Sequence, residues 1–166
     1  MRNLLIALCL IGLSPVRLAQ ASDLAGTTVI VVRHAEKIDN SADPDLSETG
    51  KERAVLLSRL LGETEISALF SSQYERTRQT LMPLSTKLNL KVQPVDAALT
   101  ADLVRRISTD FPGKTVVVAS HSDRVTEIIE ALGGRSVGYL AESEYDNLFV
   151  VTLLDDSTAD VLRLKY

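Results

Sequence analysis

The chain holds two histidines, and each follows one of its two most strongly β-branched runs. Arg33-His34 closes Thr28-Val29-Ile30-Val31-Val32, and His121 stands two residues beyond Thr115-Val116-Val117-Val118-Ala119. Imidazole can act as nucleophile, base or acid near neutral pH, so two of them brought to one place make a reactive centre. Arg76 lies in Ser71-Ser72-Gln73-Tyr74-Glu75-Arg76-Thr77-Arg78-Gln79-Thr80, where an expected strand passes into a helix. In a helix's first turn, a guanidinium and the free backbone N–H groups can face the same anion. Alone, Arg76 reads as a solvated helix arginine; with His34 and His121 at strand ends it reads as part of an anion site.

The elements that must position these groups are legible in outline. Both β-branched runs lack polar alternation, the pattern of central strands covered on both faces in a parallel sheet. Ile66 to Phe70 is a weaker third strand, and Leu148 to Leu154 with Asp160 to Lys165 reads as a closing pair around Asp155-Asp156-Ser157. Ser47 is the expected N-cap of a helix with Ala54, Leu57 and Leu61 on one face. Thr77, Leu81, Leu84 and Leu88 mark a second helix, with a kink or early break expected at Pro83. A third carries Leu103, Ile107 and Phe111 and stops at Pro112-Gly113. The fourth carries Val125, Ile128, Ile129 and Leu132 and stops at Gly133-Gly134. Strands alternating with helices predict α/β architecture, a three-layer α/β/α sandwich with a mostly parallel central sheet and its chemistry at the strands' carboxyl ends. The polar stretches 38–46 and 134–146 are candidates for the mouth of a pocket.

Arg33-His34-Ala35-Glu36 resembles the Arg-His-Gly-Glu signature of the histidine phosphatase (phosphoglycerate mutase-like) superfamily. Leu46-Ser47-x-x-Gly50 is similar to that family's Leu-Thr-x-x-Gly helix start. Ser71-Ser72 through Arg76-Thr77 and Thr80 resembles its second arginine motif, and Ala119-Ser120-His121-Ser122 its second histidine motif. The blocks stand in family order over residues 28–132, and Tyr145-Asp146-Asn147-Leu148 resembles the final strand entry of small members. The resemblance implies a phosphoglycerate mutase-like fold and a metal-independent phosphomonoester hydrolase without cofactor. His34 would form a phosphohistidine, Arg33 and Arg76 would clamp phosphoryl oxygens, and His121 would donate a further hydrogen bond.

The proton for the leaving oxygen has two candidate sources, Asp96 in Pro94-Val95-Asp96 and Asp123, two residues after the second histidine. Asp102 reads as a helix-starting residue. Lys37 puts a positive charge beside the pocket that could meet a second anionic group, or is solvated surface. Ala35 stands where relatives have Gly. Size fits small phosphohistidine-protein phosphatases, and address fits exported relatives acting on envelope phosphoglycans, so the substrate stays open among phosphoglycan, phosphosugar and phosphoprotein.

The address comes from the first residues. Met1-Arg2-Asn3, an apolar run from Leu4 to Leu13 and Ala19-Gln20-Ala21 form a signal-peptide pattern, with cleavage expected before Ser22 and export to the periplasm or beyond. The run is shorter than the ~20 residues of a spanning helix and is followed by Pro15 and Arg17, so no stable membrane insertion is expected after cleavage. Residues 22–166 then form a single domain, of a size for one core. The whole chain carries a formal charge of −4 and a single cysteine, Cys9. Removal of residues 1–21 leaves 16 basic against 22 acidic side chains, a charge of −6, with no cysteine. An acidic surface argues against nucleic acid as partner. Oligomeric state is not legible. Two rival functions remain: a metal-dependent hydrolase using His34, His121, Glu36 and Asp123, and a phosphate-binding or phosphoglycan-binding module that has lost turnover.

Overall fold

The computed structural model describes residues 26–166. The expected export segment, 1–21, and its cleavage point lie outside them. Among the described residues the order is β1 (Thr28–Arg33), α1 (Glu48–Leu61), β2 (Ile66–Ser71), α2 (Glu75–Leu88), β3 (Val92–Pro94), α3 (Thr100–Asp110), β4 (Thr115–Ser120), α4 (Ser122–Ala131), β5 (Asn147–Leu153) and β6 (Ala159–Lys165). The strands form one sheet in the order β3-β2-β4-β1-β5-β6. The first four are mutually parallel; β5 runs antiparallel to β1 and to β6. The architecture is the expected three-layer sandwich, built on a mixed sheet.

Its two helical layers explain the unalternating central strands. Val29 and Val31 of β1 and Val116 and Val118 of β4 meet Leu103 and Ile107 of α3 and Val125, Ile128 and Ile129 of α4. The intervening Ile30, Val32, Val117 and Ala119 meet Leu57 and Leu61 of α1 and Leu81 and Leu84 of α2. Each buried aliphatic side chain contributes roughly 1.5–3 kcal/mol, and both faces of each central strand collect that stabilisation.

α2 continues through Pro83 as one helix, so the early break, one of the two alternatives expected there, does not occur. Pro83 removes one backbone donor on a half-exposed face, while Leu81 and Leu84 on either side are fully buried against the sheet; packing outweighs the lost bond. β3, not expected from sequence, is a three-residue edge strand beside β2. Ser47 caps α1 by accepting from the Gly50 N–H at 3.1 Å, and Gly133 ends α4 with φ of +86°, both as expected. Asp102 lies in the first turn of α3, paired with Arg105.

Candidate active site

Strands β1 and β4 are neighbours in register, with Arg33 opposite Ser120. The ladder extends one residue further, because the His34 N–H donates to the Ser120 carbonyl at 2.8 Å. His34 and His121 thus leave the carboxyl edge of the sheet side by side, with ring centroids 5.4 Å apart. β2, on the other side of β4, delivers Ser71-Ser72 and the start of α2, whose second residue is Arg76. Arg33, His34, Arg76 and His121 line one open cleft of about 360 Å³, together with Lys37, Tyr74, Ala97, Ser122, Asp123, Arg124 and Glu142.

His34 is buried, and its Nδ1 lies 2.8 Å from the Ala35 carbonyl. A carbonyl can only accept, so Nδ1 carries the proton and Nε2 keeps a lone pair. Burial pulls the His34 pKa down to about 3, against the raising effect of the Ala35 bond, with Arg33, His121 and Arg76 adding to the fall. The ring is therefore neutral at ordinary pH.

His121 is held on both sides. Arg76 Nη2 lies 3.4 Å from its Nδ1, and Nε2 lies 2.9 Å from the Ser72 hydroxyl. A guanidinium only donates, so Nδ1 accepts and Nε2–H donates to Ser72. The Ser72 oxygen lies 2.7 Å from the Thr77 hydroxyl, which donates to the Tyr74 carbonyl at 2.7 Å. Burial, then Arg76, lowers the His121 pKa to about 4, with Asp123 opposing. The hydrogen bond expected from His121 to a bound anion thus requires Nδ1 to gain a proton.

The two polar stretches expected at a pocket mouth each hold one arginine. Arg33 Nη1 donates to the carbonyls of Ala141 and Glu142 at 3.0 and 2.9 Å, and the guanidinium lies 4.2 Å from the Tyr145 ring centroid. Arg76 Nη1 reaches the Ala42 carbonyl at 3.4 Å and Asp43 at 3.7 Å, and its guanidinium lies 4.4 Å from the Tyr74 ring centroid. Each clamp is backed by a tyrosine and anchored by a loop, which fixes charge in place before a ligand arrives.

The two candidate acids separate. Asp123 lines the cleft from the first turn of α4, with its carboxylate 3.4 Å from Arg124. Asp96 lines a small adjoining cavity with Ser71, Ser72 and Ala97; its carboxylate accepts from the Ala98 N–H at 2.8 Å in the turn leading to α3. Lys37 stands at the rim, and among the described residues no carboxylate lies within ion-pair distance of it. Glu36 turns to Arg53, with Oε1 2.7 Å from Nη2. Burial works against its charge, but the Arg53 bonds outweigh it and hold the carboxyl below its usual range. Among the described residues no group of three or more His, Cys, Asp or Glu is placed to hold a metal ion. Tyr74, Arg124 and Glu142 were not singled out from sequence; their only signal was nearness to a motif or a polar stretch.

Residues 29–100 match the histidine phosphatase superfamily (branch 1). The chain is 28% identical over 156 residues to a Schizosaccharomyces pombe protein named "Probable phosphatase", covering 83% of this chain and 72% of that one. It is 36% identical over 98 residues to phosphoserine phosphatase 1 of Hydrogenobacter thermophilus, covering 51% of this chain and 46% of that protein. Among solved structures, the protein histidine phosphatase SixA complexed with tungstate superposes with a TM-score of 0.66 at 22% identity, over 83% of this chain and 96% of that one. A mycobacterial glucosyl-3-phosphoglycerate phosphatase in complex with VO3 gives 0.66 at 15% identity, over 84% and 98%. These structures share the fold.

Proposed function

We propose that this chain is a phosphatase of the histidine phosphatase superfamily that hydrolyses phosphomonoesters without a metal, through a phosphohistidine on His34. The observation that carries the reading is the Nδ1 bond of His34 to Ala35, which leaves Nε2 unprotonated beside two loop-anchored guanidinium groups. Arg33 and Arg76 hold the phosphoryl oxygens and offset their charge. Nε2 attacks phosphorus, the bond from phosphorus to the ester oxygen breaks, and its electron pair leaves with the oxygen, which takes a proton. Water then attacks the phosphohistidine and returns one proton to the carboxylate that had protonated the leaving oxygen; inorganic phosphate departs, and the electron pair of the P–N bond returns to Nε2.

Asp123, on the lining of the same cleft as His34, is the proton donor this reading favours, while Asp96 lines the adjoining cavity. His121, protonated as the anion arrives, supplies a hydrogen bond from Nδ1. Lys37 is placed for a second anionic group on the substrate, as on phosphorylated acids, phosphoglycans or phosphoproteins. The signal-peptide pattern of residues 1–21 is the basis for reading the protein as exported to the periplasm or beyond.

The test is turnover of p-nitrophenyl phosphate with excess chelator present. Wild-type protein is expected to be active and to yield an acid-labile, base-stable phosphoenzyme on rapid quench; His34→Ala is expected to lose both. A His34→Ala protein with undiminished turnover refutes the mechanism, and wild-type protein that binds vanadate without turnover establishes the binding-module reading instead.

A further inference from the structure

We propose that Thr80 is the positioning residue that sets the orientation of His34 and ties it to the arginine clamp. The inference rests on the reading of His34 as nucleophile. Thr80 lies one turn beyond Arg76 in α2 and is fully buried. Its hydroxyl donates to the Arg76 carbonyl at 2.8 Å and accepts from the Ala35 N–H at 2.9 Å. Neither role can reverse, because a carbonyl cannot donate and an N–H cannot accept.

Ala35 has passed the end of β1 and is itself fully buried, so Thr80 takes the place of a ladder partner for its N–H. Buried N–H groups without a partner are rare because they are costly; without the Thr80 oxygen, Ala35 is driven to turn. The same residue's carbonyl receives the Nδ1 proton of His34. Turning Ala35 therefore releases the bond that holds the ring in its reactive tautomer. One oxygen atom thus couples the backbone of the anion clamp to the backbone of the nucleophile, across 45 residues of sequence.

The decisive variant is Thr80→Val, which keeps the shape and removes both bonds. With His34 mis-set, kcat is expected to fall about 10- to 100-fold, the scale of a displacement near 1 Å in a reacting group. KM is expected to stay within about threefold, because Arg33 and Arg76 keep their loop anchors. Thr80→Ser is expected to restore kcat to within about threefold of wild type. Long-range 1H–15N correlation of the histidine rings is expected to show His34 as the Nδ1–H tautomer in wild type and as a mixture in Thr80→Val.

A Thr80→Val protein with wild-type kcat, or with the His34 tautomer unchanged, overturns the proposal. If Thr80→Val does not fold, Thr80→Cys decides: its sulfur is a weak acceptor of similar size, so kcat well below that of Thr80→Ser supports the role and equal values overturn it. His34→Ala is run alongside. Its retained activity sinks the functional reading itself, whereas an inactive His34→Ala beside a fully active Thr80→Val sinks only the role of Thr80.

Discussion

Gly50→Ala sets two effects of opposite sign against each other. Gly50 sits in the first turn of α1, where alanine is intrinsically favoured over glycine by up to about 1 kcal/mol. A Cβ there, however, falls 2.2 Å from the Glu36 carbonyl oxygen, whereas ordinary contact begins near 3.4 Å. The helix or the loop must yield by roughly 1 Å, and overpacking of that kind costs about 1–3 kcal/mol. The carbonyl is also anchored, accepting from the Ser47 N–H at 2.9 Å and lying 3.3 Å from the Ser47 hydroxyl. Sterics win, and the variant is expected to be less stable by about 1–2 kcal/mol. For a domain of this size that lowers Tm by about 2–8 °C. Glu36 is two residues from His34, so kcat is expected to fall about tenfold as well. Urea and thermal unfolding, with steady-state kinetics on the same preparations, measure both. A Tm at or above the wild-type value would mean that the loop after His34 gives way freely, and the argument would fail.

Three further outcomes test the electrostatics, the proton donor and the rim. Both imidazoles are held neutral in the folded chain, at pKa values of about 3 and about 4, against about 6.5 when unfolded. The unfolded chain therefore binds more protons between about pH 4 and 6, and stability rises with pH there and is lost on acidification. Replacing both histidines with Asn is expected to flatten the slope of unfolding free energy by up to about 2–3 kcal/mol per pH unit; urea titrations giving equal slopes refute the burial argument. In a substrate panel, Asp123→Asn is expected to slow alkyl phosphates at least tenfold more than p-nitrophenyl phosphate, whose leaving group needs no proton, while Asp96→Asn leaves the ratio unchanged. Lys37→Gln is expected to reduce the preference for carboxylate-bearing phosphates over neutral ones, and an unchanged preference removes Lys37 from substrate recognition.

What could be read from sequence followed from how completely each residue's surroundings are dictated by its type. β1 and β4 were legible because burial on both faces demands an unbroken aliphatic run, and His34 and His121 because they adjoin those runs. β3 was not legible: Val92-Gln93-Pro94 is too short and polar to carry a period, and it forms only because β2 offers a free edge. The early break weighed at Pro83 did not occur because a local rule about donors says nothing of Leu81 and Leu84 on the buried side. The anchors of Arg33 and Arg76 are largely backbone carbonyls, which every residue owns, so no side-chain pattern marks Ala42, Ala141 or Glu142. Asp96 and Asp123 were indistinguishable in sequence because local turns, which leave no side-chain pattern, set their surroundings: the Asp96 carboxylate accepts from the Ala98 N–H, while Asp123 lines the cleft from the first turn of α4.

The in-register pairing of Arg33 with Ser120 ties the reactive centre to the sheet as a whole. Slipping β1 past β4 by a single residue would turn every valine of one strand toward the wrong layer, and would part the imidazoles in the same movement. What keeps the rings side by side is what keeps the two aliphatic layers sealed. Catalytic competence and cooperative melting share one structural origin.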